Sequence, residues 1–220
     1  MFKSIVLLIL FAGAAIAQIQ AEENDMFLNF SAGISIPDKN FGQDTDKSGA
    51  IVFFPIIHEY AKDGITSDFI KFGYKLFGWD DLNLSFGCIG LLNFSINQYT
   101  DGKGDSYWKY GGIYAGGYLN FTPGYGINLR LEPLTVGAVL VDFPSIDRSA
   151  PLMIYTYDMG NTVSLAYKPS VVLGKMFNET WGINLAASYY YADPVFEDKH
   201  GELNIHMTSF NYSMGIEYRF

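Results

Sequence analysis

The side chains able to do chemistry are few, and most sit where chemistry is hard to assemble. There are three histidines. His58 closes the apolar run IVFFPII (51–57) and precedes Glu59. His200 stands in an acidic loop beside Asp198 and Glu202, a setting that keeps it solvated. His206 shares the parity of Phe210, Tyr212 and Phe220. The stretch DTDKSG (44–49) carries oxygen ligands at the first, third and fifth positions of a calcium loop, glycine at the sixth and Ile51 at the eighth. Its twelfth position, which needs a bidentate carboxylate, is Pro55, so a solvated acidic loop is expected and no metal site. GGIYAGG (111–117) has the glycines of a phosphate loop but no helix after them. There is no G-x-S-x-G, and the single Cys88 supplies neither a zinc pair nor an internal disulfide. No cofactor is expected. What remains is a scattered set of charges: Lys71, Lys75, Arg130, Glu132, Lys168, Glu217 and Arg219.

Each of those charges lies in a segment that alternates apolar and polar residues, the period of a strand. Leu28, Phe30, Ala32, Ile34 and Ile36 oppose Asn29, Ser31, Gly33 and Ser35. Leu82, Leu84, Phe86, Cys88, Leu92, Phe94 and Ile96 oppose Asn83, Ser85, Gly87, Asn93, Ser95 and Asn97. The same rule places Lys71 and Lys75 opposite Ile70, Phe72, Tyr74 and Leu76, and Arg130 and Glu132 opposite Ile127, Leu129 and Leu131. Lys168 opposes Val163, Leu165 and Tyr167; Asn184, Ala186, Ser188 and Tyr190 oppose Ile183, Leu185, Ala187, Tyr189 and Tyr191. WKYGGIYAGGYLN (108–120) sets Trp108, Tyr110, Tyr114 and Tyr118 on one face and mostly small residues on the other. Strands of soluble proteins have a mode of about 5–6 residues, whereas a tilted strand needs about 9–11 to cross a bilayer. An exported β-sandwich would alternate as well; the length of these segments favours the membrane.

Composition and the N-terminus agree. Lys3, an apolar run (4–16) and the small-x-small Ala15-Ile16-Ala17 form a secretory signal peptide over residues 1–17, with 18–220 as one barrel domain. The chain has 14 basic and 23 acidic residues; losing Lys3 leaves 13 against 23, a balance that excludes nucleic acid as a partner. Sixteen Tyr, eighteen Phe and 23 Gly without a long apolar helix fit a transmembrane β-barrel. The fold expected is all-β: a single antiparallel up-and-down transmembrane β-barrel. Ten strands are expected, at 27–36, 49–58, 69–77, 82–97, 108–120, 127–141, 151–158, 162–174, 182–192 and 205–220, with eight as the alternative if 49–58 and 151–158 drop out. Aromatics at strand ends are expected to form the interfacial girdles, and the seven charges to meet inside a narrow interior as a stabilising network rather than a pore lining.

The last ten residues, NYSMGIEYRF, alternate strictly and finish on Phe220. In this the chain resembles bacterial outer-membrane proteins, which end in Phe with apolar residues at every second position. The resemblance implies that Tyr212, Met214, Ile216, Tyr218 and Phe220 form a signal for the barrel-assembly machinery, in the outer membrane of a Gram-negative-type bacterium. Outer-membrane lipids and lipopolysaccharide would then be the surrounding partners of a monomer. The function expected is non-enzymatic: structural, binding, or porin-like passage of small solutes. A second resemblance is to the lipid A palmitoyltransferase family of eight-stranded barrels. GDSYWKYGGIYAGGYL (104–119) resembles that family's Asp-Ser segment through Asp105, Ser106, Trp108, Lys109, Tyr110 and Ala115–Tyr118. It implies His58, Asp105 and Ser106 as catalytic residues of an acyltransferase, the histidine polarising the hydroxyl. This chain has extra strand-like segments at both ends and no obvious N-terminal amphipathic helix, and in the ten-strand count the three residues face the periplasm. Intact-mass measurement of the exported protein is expected to find a chain beginning at Gln18; a chain retaining residues 1–17 would overturn the signal-peptide reading.

Overall fold

The computed structural model describes residues 26–39, 41–44, 61–100, 105–142, 149–150, 153–154, 160–198 and 201–220. The expected strand 49–58, His58, His200 and most of the calcium-like loop lie outside these residues, as does most of 151–158.

In chain order the strands are β1 (Met26–Pro37), β2 (Gln43–Asp44), β3 (Ala61–Trp79), β4 (Leu84–Thr100), β5 (Asp105–Gly124), β6 (Ile127–Asp142), β7 (Ser149–Ala150) and β8 (Met153–Ile154). β9 (Asn161–Tyr167), β10 (Ser170–Met176), β11 (Trp181–Ala192), β12 (Val195–Asp198) and β13 (Gly201–Arg219) complete them. The ten strands β10-β11-β9-β6-β5-β4-β3-β1-β13-β12 form one antiparallel sheet, to which β2 adds on β13, while β7 and β8 pair only with each other. β11 also pairs with β13, which closes the sheet into a ring.

The ten strands occupy eight positions around that ring. β9 and β10 lie end to end along β6, paired at Val136↔Tyr167 on one side of the break and Glu132↔Ser170 on the other. Pro169 falls in the break and has no N–H to give the ladder. β12, expected as loop, is a short arm paired with β13 alone. Of the strands expected, 162–174 is therefore split, and 153–154 is the described part of 151–158.

The connections divide between the two ends of the ring. Three short ones, 80–83, 125–126 and 177–180, lie at the end that also holds Met26 and Phe220, which exchange backbone hydrogen bonds of 3.3 and 3.1 Å. The others lie at the opposite end: the four-residue 101–104 and the two longest, between β1 and β3 and between β6 and β9. Because β1 pairs directly with β3, Asp105 and Ser106, at the start of β5, lie at the long-connection end, opposite the termini. The ten-strand placement put them at the terminal end, and that expectation is corrected.

The outer wall is a continuous apolar band. Phe30, Ile34, Leu92, Phe94, Leu129, Leu131, Leu185, Tyr212, Met214 and Ile216 all point out and are exposed. The aromatic face of β5 does the reverse. Trp108, Tyr110, Tyr114 and Tyr118 are buried inside the ring, so they fill the interior and are not an interfacial girdle. The reason is volume: a Cβ on Gly87 would sit 2.5 Å from the Tyr118 ring, and the inward positions between the rings are Gly112 and Gly116, where the backbone of β6 comes close. A Cβ on Gly116 would sit 2.2 Å from the Leu134 carbonyl oxygen, and one on Gly112 would sit 2.3 Å from that of Ala138. Gly116→Val is expected to cost at least about 1–3 kcal/mol through overpacking, read as loss of the compact, fast-migrating band in an unboiled gel sample. Unchanged heat-modifiability would show that the wall yields there.

Candidate functional site

The interior is built in three layers. At the long-connection end, Phe41 folds in from the segment after β1 and is buried against Trp108, ring centroids 5.9 Å apart, and against Tyr110 at 6.1 Å. Tyr110 stacks at a tilt on Tyr190 at 4.8 Å. Val139, Val141, Phe196, Ile205 and Met207 close around these rings. Apolar side chains thus plug this end.

The second layer is a hydrogen-bonded belt. Ser35 donates to Asn97 Oδ1 at 3.2 Å, and Tyr110 donates to the same oxygen at 2.9 Å. Ser95 donates to Thr66 at 2.8 Å, and Asn93 donates to Thr66 at 3.2 Å and to Asp68 Oδ1 at 3.0 Å. Asp68 links this belt to the third layer.

That layer is a chain of seven alternating charges. Lys168 bonds Asp68, and Asp68 lies 3.6 Å from Lys71. Lys71 Nζ donates to Glu132 Oε2 at 2.8 Å. Arg130 Nε donates to Glu132 Oε1 at 3.0 Å, and its Nη1 to Glu217 Oε2 at 2.9 Å. Arg219 donates to Glu217 Oε1 from Nε at 3.0 Å and from Nη2 at 2.9 Å. Ser170 adds a hydroxyl donor to Glu132. Arg130, Glu132 and Glu217 are 2, 1 and 2% exposed, so their charges are almost fully buried. A charge buried this deeply is tolerated only when paired and hydrogen-bonded, and here every carboxylate is shared between two cations.

Six of the expected interior charges belong to this chain; the seventh, Lys75, lines a cavity at its Arg219 end. Asp68 was missed. Counting back by twos from Lys71 puts Asp68 on the outer face. A bulge between Asp68 and Ile70 reverses the parity, so that Phe69 and Ile70 both face out while Asp68 and Lys71 both face in. A second irregularity in β6, between Leu131 and Leu134 opposite β5, likewise turns both Glu132 and Thr135 inward. No sequence signal marks the first bulge; Pro133 marks the second.

The other candidates are described only in part. His58 lies outside the described residues, and Asp105 and Ser106 pair backbone to backbone with Thr100 and Tyr99. His206 bonds Asp193 at 2.8 Å and meets the Tyr191 ring edge-on at 5.4 Å, near the long-connection end. Among the described residues, no group of His, Cys, Asp or Glu is placed to hold a metal ion.

A closed antiparallel ring with an apolar outer band and a packed polar interior defines a small transmembrane β-barrel. Comparison with solved structures agrees. Neisserial surface protein A matches with a TM-score of 0.55 at 12% identity, over 90% of this chain and 99% of that one. OprG from Pseudomonas aeruginosa matches at 0.47 and 11% identity, over 92% and 99% of the two chains. Ail, the attachment invasion locus protein of Yersinia pestis, matches at 0.43 and 17% identity, over 90% and 100%. At 12% identity, what the chain shares with Neisserial surface protein A is the fold alone. No protein-family model matches the chain, and no curated protein sequence matches it.

Removing one member of the charge chain strands its neighbour in the buried interior. Asp68→Leu is expected to lower unfolding stability in detergent micelles by about 3–5 kcal/mol, measured by denaturant titration of tryptophan fluorescence. The double variant Asp68→Leu, Lys168→Leu is expected to recover a large part of that loss. A double variant less stable than the single one would show that the charge pair is not the source.

Proposed function

We propose that the protein is a non-enzymatic outer-membrane barrel that spans the bilayer as a closed staple and acts by binding through its long-connection end. The observation that carries this reading is the filled interior. From Phe41 to Arg130 the ring is occupied by stacked aromatics, a hydrogen-bonded belt and paired charges. A lumen of this width is ordinarily taken up by side chains, and these side chains are held by one another. Passage of small solutes, the other use considered for such an interior, would require breaking that packing. The apolar outer wall suits outer-membrane lipids and lipopolysaccharide, and the face Tyr212, Met214, Ile216, Tyr218 and Phe220 suits recognition by the barrel-assembly machinery. The likeness in fold to Neisserial surface protein A supports the location. No observation favours acyl transfer.

Two measurements test this. The protein is expected in the outer-membrane fraction, extracted only by detergent. Reconstituted in planar bilayers, it is expected to give no resolved conductance steps. Regular voltage-driven steps from the purified protein would overturn the closed-staple reading, and extraction without detergent would overturn the location.

A further inference from the structure

The charge chain does not end in a neutral wall. It runs from Lys168 to Arg219 and holds four cations against three carboxylates, leaving one positive charge over. Its Arg219 end opens into a cavity of about 270 Å³ at the short-turn end of the barrel. Arg130, Arg219 and Lys75 all line this cavity, and Asp80 is the single carboxylate among its described lining residues.

Arg130 makes this more than a basic patch. Its Nε and Nη1 are taken by Glu132 and Glu217, and its guanidinium lies 4.0 Å from the centroid of the Phe27 ring. Its Nη2 is buried and has no hydrogen-bond partner. A buried guanidinium N–H without an acceptor costs free energy that an incoming oxyanion would recover. Ser85 and Thr122 add hydroxyls to the same wall. Trp79 also lines the cavity and is half-exposed, at the end where Trp181 and Phe220 stand at the outer surface. Aromatics of that kind sit at the level of lipid headgroups.

We propose that this cavity is a binding site for a phosphate group, entered from the short-turn end. The phosphate would accept from Arg130 Nη2 and sit between Arg219 and Lys75. A planar carboxylate uses fewer of these donors than a phosphate, whose oxygens point in three directions at once. The group is either a free phosphate or the headgroup of an anionic phospholipid at the bilayer interface. This inference goes beyond the proposed function: it concerns the opposite end of the barrel and survives if the protein proves to conduct.

The test uses the full mature chain folded in maltoside micelles and phosphorus NMR of added ligand. One arm titrates inorganic phosphate and glycerol phosphate; the other titrates phosphatidylglycerol into the micelles. Saturable line broadening is expected in at least one arm. Broadening by the soluble ligands identifies free phosphate, and broadening by the phospholipid alone identifies a headgroup site. Arg219→Gln and Lys75→Gln, each at the wetter rim, are expected to weaken binding by about tenfold or more, with the heat-modifiable band retained as proof of folding. Arg130→Lys, which keeps the charge but changes the donor geometry, is expected to weaken it as well. Broadening in neither arm, or broadening unchanged in the rim variants, would overturn the proposal.

Discussion

A strand in hydrocarbon has no water to satisfy its edge, so the sheet must close on itself. Everything else in this molecule depends on that closure. Its seam joins the two ends of the chain: β1 pairs with β13 from Phe27↔Arg219 to Pro37↔Ser209. From β13 the ladder runs on through β11 and β10 to β6, and the curvature of the ring brings Glu217 against Arg130, although 87 residues separate them in sequence. An open sheet would leave both charges with water as their partner. The closed one leaves them only each other.

Closure also fixes how little room there is inside. The ring answers with a division of labour along its axis. Rings from β5 and β11, covered by Phe41, take the long-connection end. Small polar residues and a tyrosine share hydrogen bonds beneath them. Charges take the part nearest the termini. Buried ion pairs are poor evidence of net stability, because desolvation opposes the Coulomb attraction. Their value here lies in specificity. A shift of register by one residue would turn Arg130 or Glu132 toward hydrocarbon and Leu129 or Leu131 into the charge layer, so the alternating chain selects one register among near neighbours. The spare cation at its end is what makes the terminal cavity chemically distinct from the plugged end.

What the sequence determined by itself is the class of wall. A period of two is a local property, and it survives in any strand whatever its partners, so the outward faces of β1, β4 and β13 were legible residue by residue. So was the polarity of the other face, and with it six members of the charge chain. Three things required the tertiary structure. Ring position depends on which strands pair, and β9 and β10 look like one long strand until Pro169 is placed against β6. The direction of an aromatic face in β5 depends on whether rings have space inside, which glycines on the same face hint at but only the opposing wall decides. Asp68 depends on a bulge: one extra residue between Asp68 and Lys71 reverses parity without changing composition, so no count along the chain could find it. Alternation tells which residues share a face within an unbroken ladder; only the pairing of distant strands tells where the ladder breaks, and here the breaks are what aim the charges inward.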